Sequence, residues 1–234
     1  MIDKTLSIKD ASAALLNDEL TDITVDIAEE SLDAFLDSDS ILGKLPVVKL
    51  IIGTYKTIVN VKDRFELKKF CVFLQQFQNG QIDEGELEKR RKAYENNEKW
   101  FYKEVENILI YLSRHENAVK AKLLAEIYID YINKVVTLEQ YEEYVIILDR
   151  IFINDISHLK MIFAAETLKG ITKETLDKKE GKIMDFDDTK CERLSSLGLL
   201  SKVSYMQFGA QVGGDYLITT QGNYICSIIN RIRQ

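Results

Sequence analysis

The chain has few of the residues that interrupt regular structure or cross-link a small fold. Only one proline and 11 glycines occur in 234 residues, so turn signals are scarce and a sandwich or barrel of many short strands is not expected. Three widely spaced cysteines argue against a disulfide framework and favour a reducing compartment. A hydrophobic content of 46% is ordinary for a globular protein and excludes disorder as the main state. Long helices around a buried core are therefore expected.

The sequence also lacks an uncharged apolar run long enough to cross a membrane. Its longest apolar region, residues 41–61, is interrupted by Lys44, Lys49 and Lys56, whereas a spanning helix needs about 18 uncharged residues or more. A polar stretch follows Met1, so no secretory signal peptide is expected. These observations predict a cytoplasmic protein, with peripheral attachment to the inner face of the membrane as an alternative.

Residue patterns that mark catalytic, cofactor or metal sites are missing as well. His115 and His158 are far apart, and no cysteine lies near another, so a zinc site is not expected. Neither histidine belongs to a nucleophile motif, and no glycine loop for phosphate occurs. Asp185, Asp187 and Asp188 could bind a cation, but this pattern before a helix favours helix capping. The sequence predicts a non-enzymatic protein without cofactor or metal.

What the sequence does have is a strong segregation of charge. Residues 1–40 carry 2 basic and 11 acidic side chains, a net charge of −9, and residues 41–79 carry 7 and 2, a net charge of +5. An acidic block followed by a basic one predicts that the two pack on each other or present opposite fields to a partner.

The basic block, residues 41–79, has the apolar spacing of two amphipathic helices, over residues 41–61 and 62–78. We define its candidate interaction surface as Lys49, Ile52, Lys56, Lys62, Arg64, Lys68 and Lys69. Such a surface can lie on an anionic membrane or contact a protein partner. The interpretation that we favour is burial of these helices in the core, with the lysines facing the acidic block, because apolar residues surround most of their circumference.

Further helices are expected to complete a helical bundle over residues 1–153. The apolar periodicity predicts them over about residues 21–37, 84–114, 118–133 and 138–153. The charged stretch of residues 86–92 is expected to form a solvated face.

Residues 154–234 have the pattern of shorter helices and a β-hairpin, and they are expected to form a small α+β domain. Helices are predicted over about residues 155–168, 172–179 and 189–197, followed by a β-hairpin and a last helix capped by Thr219 or Thr220. Thr189 and Glu192 have the spacing of a capping box. The expected fold class is therefore mostly α, a helical bundle followed by a domain with one β-hairpin.

The end of the chain resembles bacterial winged-helix domains. The likeness is carried by Leu194, Leu197-Gly198-Leu199-Leu200, Tyr216-Leu217-Ile218-Thr219 and Gly222. It implies a recognition helix, which would present Lys190 and Arg193 to DNA, and a supporting wing. This wing has no Lys or Arg, and the helix also carries acids, so docking onto protein is expected rather than binding of nucleic acid.

A looser resemblance covers the basic block. Its residues are Leu45-Pro46-Val47-Val48, Lys56, Lys62-Asp63-Arg64, Lys68-Lys69-Phe70 and Phe73-Leu74. They are similar to segments of uncharacterised bacterial and prophage proteins, some of them similar to abortive-infection families, which implies a role in bacterium–phage conflict.

The sequence thus leads to two hypotheses about function. The first is an interaction or effector protein whose bundle engages a protein partner, a membrane surface or a second copy of the chain, with a winged-helix docking module. The alternative is a winged-helix DNA-binding transcriptional regulator whose bundle serves dimerisation or sensing.

Overall fold

The computed structural model describes residues 61–115, 117–171, 187–207 and 210–232. Eight helices and one two-stranded antiparallel sheet occur in these ranges, which confirms the mostly helical class and the C-terminal hairpin. None of these helices is both long and apolar enough to cross a bilayer. The helices predicted over residues 21–37, 41–61 and 172–179 lie outside the described residues, apart from residue 61. The chain divides into two compact units between Val145 and Ile146, whereas the sequence suggested a boundary after residue 153.

The first unit is helical throughout. Its elements are α1 (Val61–Asn79), α2 (Glu84–Asn96), α3 (Glu98–Arg114), α4 (Ala118–Ile132) and the first part of α5 (Leu138–Arg150). α1 packs mainly on α4 and also on α3, and α2 packs on α3. Five consecutive residues of α1, from Phe70 to Leu74, are fully buried. Because successive residues of a helix point about 100° apart, α1 is enclosed on every side there, which confirms the core interpretation of this stretch.

One predicted helix is wrong, because residues 84–114 form two helices that meet at Asn97. This residue has φ −145° and ψ 85°, outside the helical region. Its side chain accepts a hydrogen bond from the N–H of Trp100 at 3.2 Å, and its own N–H donates to the carbonyls of Ala93 and Tyr94. Asparagine suits both roles because its short amide competes with helical hydrogen bonds.

The second unit contains the hairpin. Its elements after α5 are α6 (Ile153–Ile171), α7 (Asp188–Ser196), β1 (Leu200–Gln207), β2 (Ala210–Ile218) and α8 (Thr220–Arg231). β1 and β2 are antiparallel with Leu200 opposite Ile218, and their register shifts between Tyr205 and Met206. α6 packs against α7, β2 and α8.

Side-chain caps fix the starts of α7 and α8. Asp187 accepts a hydrogen bond from the N–H of Thr189 at 3.0 Å, which confirms helix capping by the aspartate run. The predicted capping box of Thr189 and Glu192 is wrong, since Asp187 is the N-cap. Thr219 caps α8 by accepting from the N–H of Gly222 at 3.0 Å.

The local backbone geometry requires glycine at two positions, one in the L-G-L pattern and one in the T-x-x-G pattern. Gly198 has φ +74°, a conformation that costs other residues about 1 kcal/mol or more. At Gly222 a Cβ would lie 2.2 Å from the carbonyl oxygen of Leu199 and 2.7 Å from Ile218 Cγ1. The chain after β2 can therefore approach Leu199 this closely only with glycine at position 222.

We predict that Gly222→Ala destabilises the second unit by about 1 to 3 kcal/mol, the usual cost of overpacking, because a backbone carbonyl cannot rotate away from the added methyl. Urea unfolding followed by circular dichroism measures the change. Ser227→Ala, an exposed position of the same helix, is the control and should cost less than about 0.5 kcal/mol. Equal costs would contradict the close approach.

Candidate functional site

Two lysines of the candidate interaction surface have described side chains, and both are buried. Lys68 is 9% exposed and Lys69 is 1% exposed, so neither belongs to an exposed lysine stripe. The other members of that surface lie outside the described side chains: Lys49, Ile52, Lys56, Lys62 and Arg64.

Lys69 stabilises the end of α3 from within the first unit. Its Nζ donates to the carbonyl oxygens of Leu112 at 2.5 Å and His115 at 2.8 Å, and it pairs with Glu66 at 2.9 Å. The last carbonyls of a helix have no partner within the helix and form the negative end of its dipole. The buried ammonium is therefore compensated at this helix end.

His115 lies beside this cap without hydrogen bonds to its ring. The residue is 2% exposed, and neither ring nitrogen has a partner. Burial, followed by the positive charges of Lys120, Lys69 and Arg114, lowers its pKa from 6.5 to about 3. The ring is therefore neutral at pH 7, and protonation opposes the fold.

We predict that acid destabilises the first unit through His115. Because the histidine has a pKa of 6.5 in the unfolded chain and about 3 in the folded protein, the unfolded state binds more protons between these values. The free energy of unfolding should fall by about 1.2 kcal/mol between pH 7 and pH 5.5 and continue to fall toward pH 3. Denaturant unfolding at several pH values should show a shallower acid slope in His115→Leu; an identical slope would contradict the assignment.

Arg193 and Lys190, which the winged-helix resemblance would present to DNA, both form ion pairs with carboxylates of the second unit. Arg193 donates from Nε and Nη2 to the two carboxylate oxygens of Asp155 at 2.8 and 2.6 Å, and its guanidinium lies 5.4 Å from the ring centre of Phe152. Lys190 Nζ is 3.6 Å from a carboxylate oxygen of Asp187. Asp155 is 1% exposed, so its charge depends on Arg193 for compensation.

A cysteine and a histidine also meet in the second unit, which their sequence spacing did not predict. Cys191 Sγ lies 3.4 Å from His158 Nε2, and both residues are buried. Burial raises the pKa of the Cys191 thiol and lowers the pKa of the His158 ring. Both groups are therefore neutral at pH 7, whereas a reactive cysteine needs the thiolate.

The first unit contains an open cavity of about 270 Å³, formed by α3, α4 and the start of α5. We call it the tyrosine cavity. One face of α3 supplies residues three and four positions apart, as a helix face requires: Trp100, Lys103, Glu104, Asn107, Ile108 and Tyr111. The other two helices supply Tyr128, Tyr131, Leu138, Tyr141 and Glu142.

The aromatic wall is ordered around Tyr141. Its ring centre is 5.1 Å from that of Tyr131, 6.1 Å from that of Tyr128 and 6.3 Å from that of Tyr111. Each such pair adds about 0.5 to 1.5 kcal/mol beyond the burial of its surface. Tyr141 is buried, which raises the pKa of its hydroxyl, so this hydroxyl is uncharged at neutral pH.

Arg90 of α2 packs against the aromatic side chains and forms an ion pair with Glu104. Its guanidinium carbon lies 5.2 to 5.9 Å from the ring centres of Tyr94, Trp100, Tyr128 and Tyr131. Burial alone would lower the pKa of Arg90, but Tyr128, Tyr94 and Glu104 raise it above its ordinary value. Arg90 therefore stays charged in this aromatic surrounding.

The two carboxylate oxygens of Glu104 differ in their partners. Oε1 accepts hydrogen bonds from Arg90 and from the hydroxyl of Tyr128, and Arg90 Nε also donates to the hydroxyl of Tyr94 at 3.1 Å. Oε2 is buried and has no hydrogen-bond partner. A buried acceptor without a partner costs about 1 to 3 kcal/mol.

No pattern in the sequence indicates this cavity. Arg90 belonged to the expected solvated face of residues 86–92, and that assignment is wrong for Arg90, whose side chain is 12% exposed. No local spacing relates Arg90 to Glu104, because the turn at Asn97 brings them together.

Metal-ligating groups and cysteines are the other candidate features in the parts of the chain that are described. No three His, Cys, Asp or Glu side chains are grouped there as metal ligands would be, and Cys71, Cys191 and Cys226 are buried free thiols. No family model, curated protein or solved structure matches this chain. Its function is therefore argued from its own geometry.

We predict that Arg90→Met destabilises the first unit by about 3 kcal/mol, because it leaves the largely buried carboxylate of Glu104 without its cation. Arg91→Met is the matched control. Arg91 pairs with the half-exposed Glu88, so its loss should cost about 1 kcal/mol or less. Denaturant unfolding of the two variants measures the difference, and similar costs would show that the Arg90–Glu104 pair has no special role.

Proposed function

We propose that this chain is a non-enzymatic binding protein and that its first unit recognises a protein partner through the tyrosine cavity. The observation that carries the proposal is an open cavity whose wall is built mainly from tyrosines of three helices, with the accessible side chains of Trp100 and Leu138 on its rim. An open cavity and an unpaired buried acceptor, Glu104 Oε2, both lower the stability of a fold. Natural proteins usually retain such destabilising features at functional sites.

The composition of the cavity supports a protein partner. Trp and Tyr are among the residues that contribute most to protein interfaces, and both types line this cavity. The rim is apolar and accessible, since Leu138 is 53% exposed and Trp100 is 36% exposed. A volume of about 270 Å³ is below the range of about 300 to 1,000 Å³ typical of pockets for whole small molecules, but it suits one inserted side chain.

Catalysis is left out of the proposal for a chemical reason. In the described residues, the cysteine–histidine contact that could resemble a nucleophile and its base is the pair Cys191 and His158, and both groups are neutral and buried. A thiol whose pKa is raised by burial is a weak nucleophile. The proposal therefore rests on binding.

The DNA-binding alternative gains no support from the second unit. Arg193 would have to leave the buried carboxylate of Asp155 before it could bind a phosphate, and this exchange would leave Asp155 uncompensated. The winged-helix resemblance, the membrane-surface hypothesis and the setting of bacterium–phage conflict stay predictions from the sequence.

A photo-cross-linking amino acid at position 138, on the rim of the cavity, tests the proposal in the native cells. The control position is Tyr102, which is 42% exposed on α3 but does not line the cavity. We expect a cross-linked partner from position 138 that is absent from position 102 and is lost in Tyr111→Ala. Equal cross-linking at both positions, or none at position 138, would contradict a partner site in the cavity.

A further inference from the structure

The end of α3 forms part of the tyrosine cavity and is held in place from α1. Tyr111, which lines the cavity, lies in the last turn of α3, and its ring centre is 6.3 Å from that of Tyr141. The carbonyl of the next residue, Leu112, and the carbonyl of His115 both accept hydrogen bonds from Lys69 Nζ. The place of Tyr111 in the wall therefore depends on a turn whose last carbonyls bind a buried ammonium.

His115 follows this turn in surroundings that suit a neutral ring and oppose a charged one. The residue is buried, and neither ring nitrogen has a hydrogen-bond partner among the described residues. Cations face it from three helices: Lys69 of α1, Arg114 of α3 and Lys120 of α4. The carboxylate of Glu66 on α1 pairs with Lys69 at 2.9 Å and offsets that one ammonium. A proton on His115 therefore adds a buried positive charge beside three cations and without an acceptor.

We propose that His115 is a pH-dependent switch of the tyrosine cavity. In acid the protonated ring leaves its buried place, the backbone of His115 moves away from Lys69 Nζ, and the last turn of α3 opens together with Tyr111. The ring and the carbonyl that Lys69 binds belong to one residue, so release of the ring disturbs that hydrogen bond. The cavity then loses part of its aromatic wall and releases its partner. This inference rests on the proposed function and names the regulation of that site.

The size of the effect follows from the linkage between protonation and opening. Burial, and after it the three cations, lowers the pKa of His115 from 6.5 to about 3 in the closed form. Because the open form binds the proton more tightly, its equilibrium constant relative to the closed form rises about 25-fold between pH 7 and pH 5. An opening constant of about 0.1 at pH 7 then makes the open form the majority at pH 5 and weakens partner binding about threefold.

Amide hydrogen exchange of the full-length protein measures this opening segment by segment. After correction for the intrinsic exchange rate at each pH, we expect residues 111–115 to have a protection factor of about 10 at pH 7 and to lose nearly all protection at pH 5. Residues 123–129, in the buried centre of α4, should stay at least tenfold better protected at both pH values. Equal protection of the two segments would indicate global unfolding and overturn the inference. Protection of residues 111–115 above about 100 at pH 7 would also overturn it, because most molecules would then stay closed at pH 5.

The two histidines of the chain provide a matched pair of variants. His115→Leu removes the titrating ring, and it should reduce the change of the opening constant between pH 7 and pH 5 to less than twofold. His115→Gln, which is neutral at both pH values, should do the same. His158→Leu removes the buried histidine of the second unit and should keep the full change in residues 111–115. A full change that persists in both His115 variants would assign the opening to another group and overturn the switch.

Photo-cross-linking at position 138 separates this inference from the proposed function. In permeabilised native cells buffered at pH 7 and at pH 5, we expect about threefold less cross-linked partner at pH 5, and no such loss in His115→Leu. Equal cross-linking at both pH values, or an equal loss in His115→Leu, would leave the proposed function standing and overturn the switch. Absence of the cross-link at pH 7 would contradict the proposed function, whereas the exchange experiment needs no partner and tests the opening by itself.

Discussion

The pairing of Arg90 with Glu104 is the constraint on which the first unit depends. Fourteen residues separate them, so on one continuous helix they would lie about 21 Å apart along the axis. The break at Asn97 turns α2 back onto α3 and brings the two charges into contact. A guanidinium and a carboxylate that are largely removed from water have to compensate each other, and this requirement fixes the place of α2 against α3.

The aromatic surroundings follow from the same pair. Tyr128 donates to the carboxylate oxygen that Arg90 uses, and its hydroxyl lies 3.2 Å from that of Tyr94. These contacts join α2, α3 and α4 through one polar network inside an aromatic cluster. One acceptor, Glu104 Oε2, is left out of it.

Basic side chains of the second unit stabilise its own acidic side chains. Arg193 compensates Asp155, and Lys202 and the hydroxyl of Tyr216 both donate to Glu192, which lowers the pKa of that carboxyl group. The buried Lys69 of the first unit serves its fold in the same way. Counts of lysine and arginine along a sequence therefore say little about binding surfaces here, because several of these cations are used to stabilise acids and helix ends.

The sequence by itself determined the local structure. Apolar periodicity and the scarcity of glycine and proline predicted the helices, and the aspartate run before α7 and the Thr219-Thr220 pair before α8 were recognisable as capping segments, because such signals act over three or four residues. The apolar density of residues 62–78 also predicted burial on several sides. The tertiary structure alone decided that Arg90 leaves the solvated face of its helix, that Lys69 caps another helix from inside, and that tyrosines of α3, α4 and α5 enclose a cavity. These outcomes depend on which helices come together, and a pattern of spacing within one helix does not carry that information.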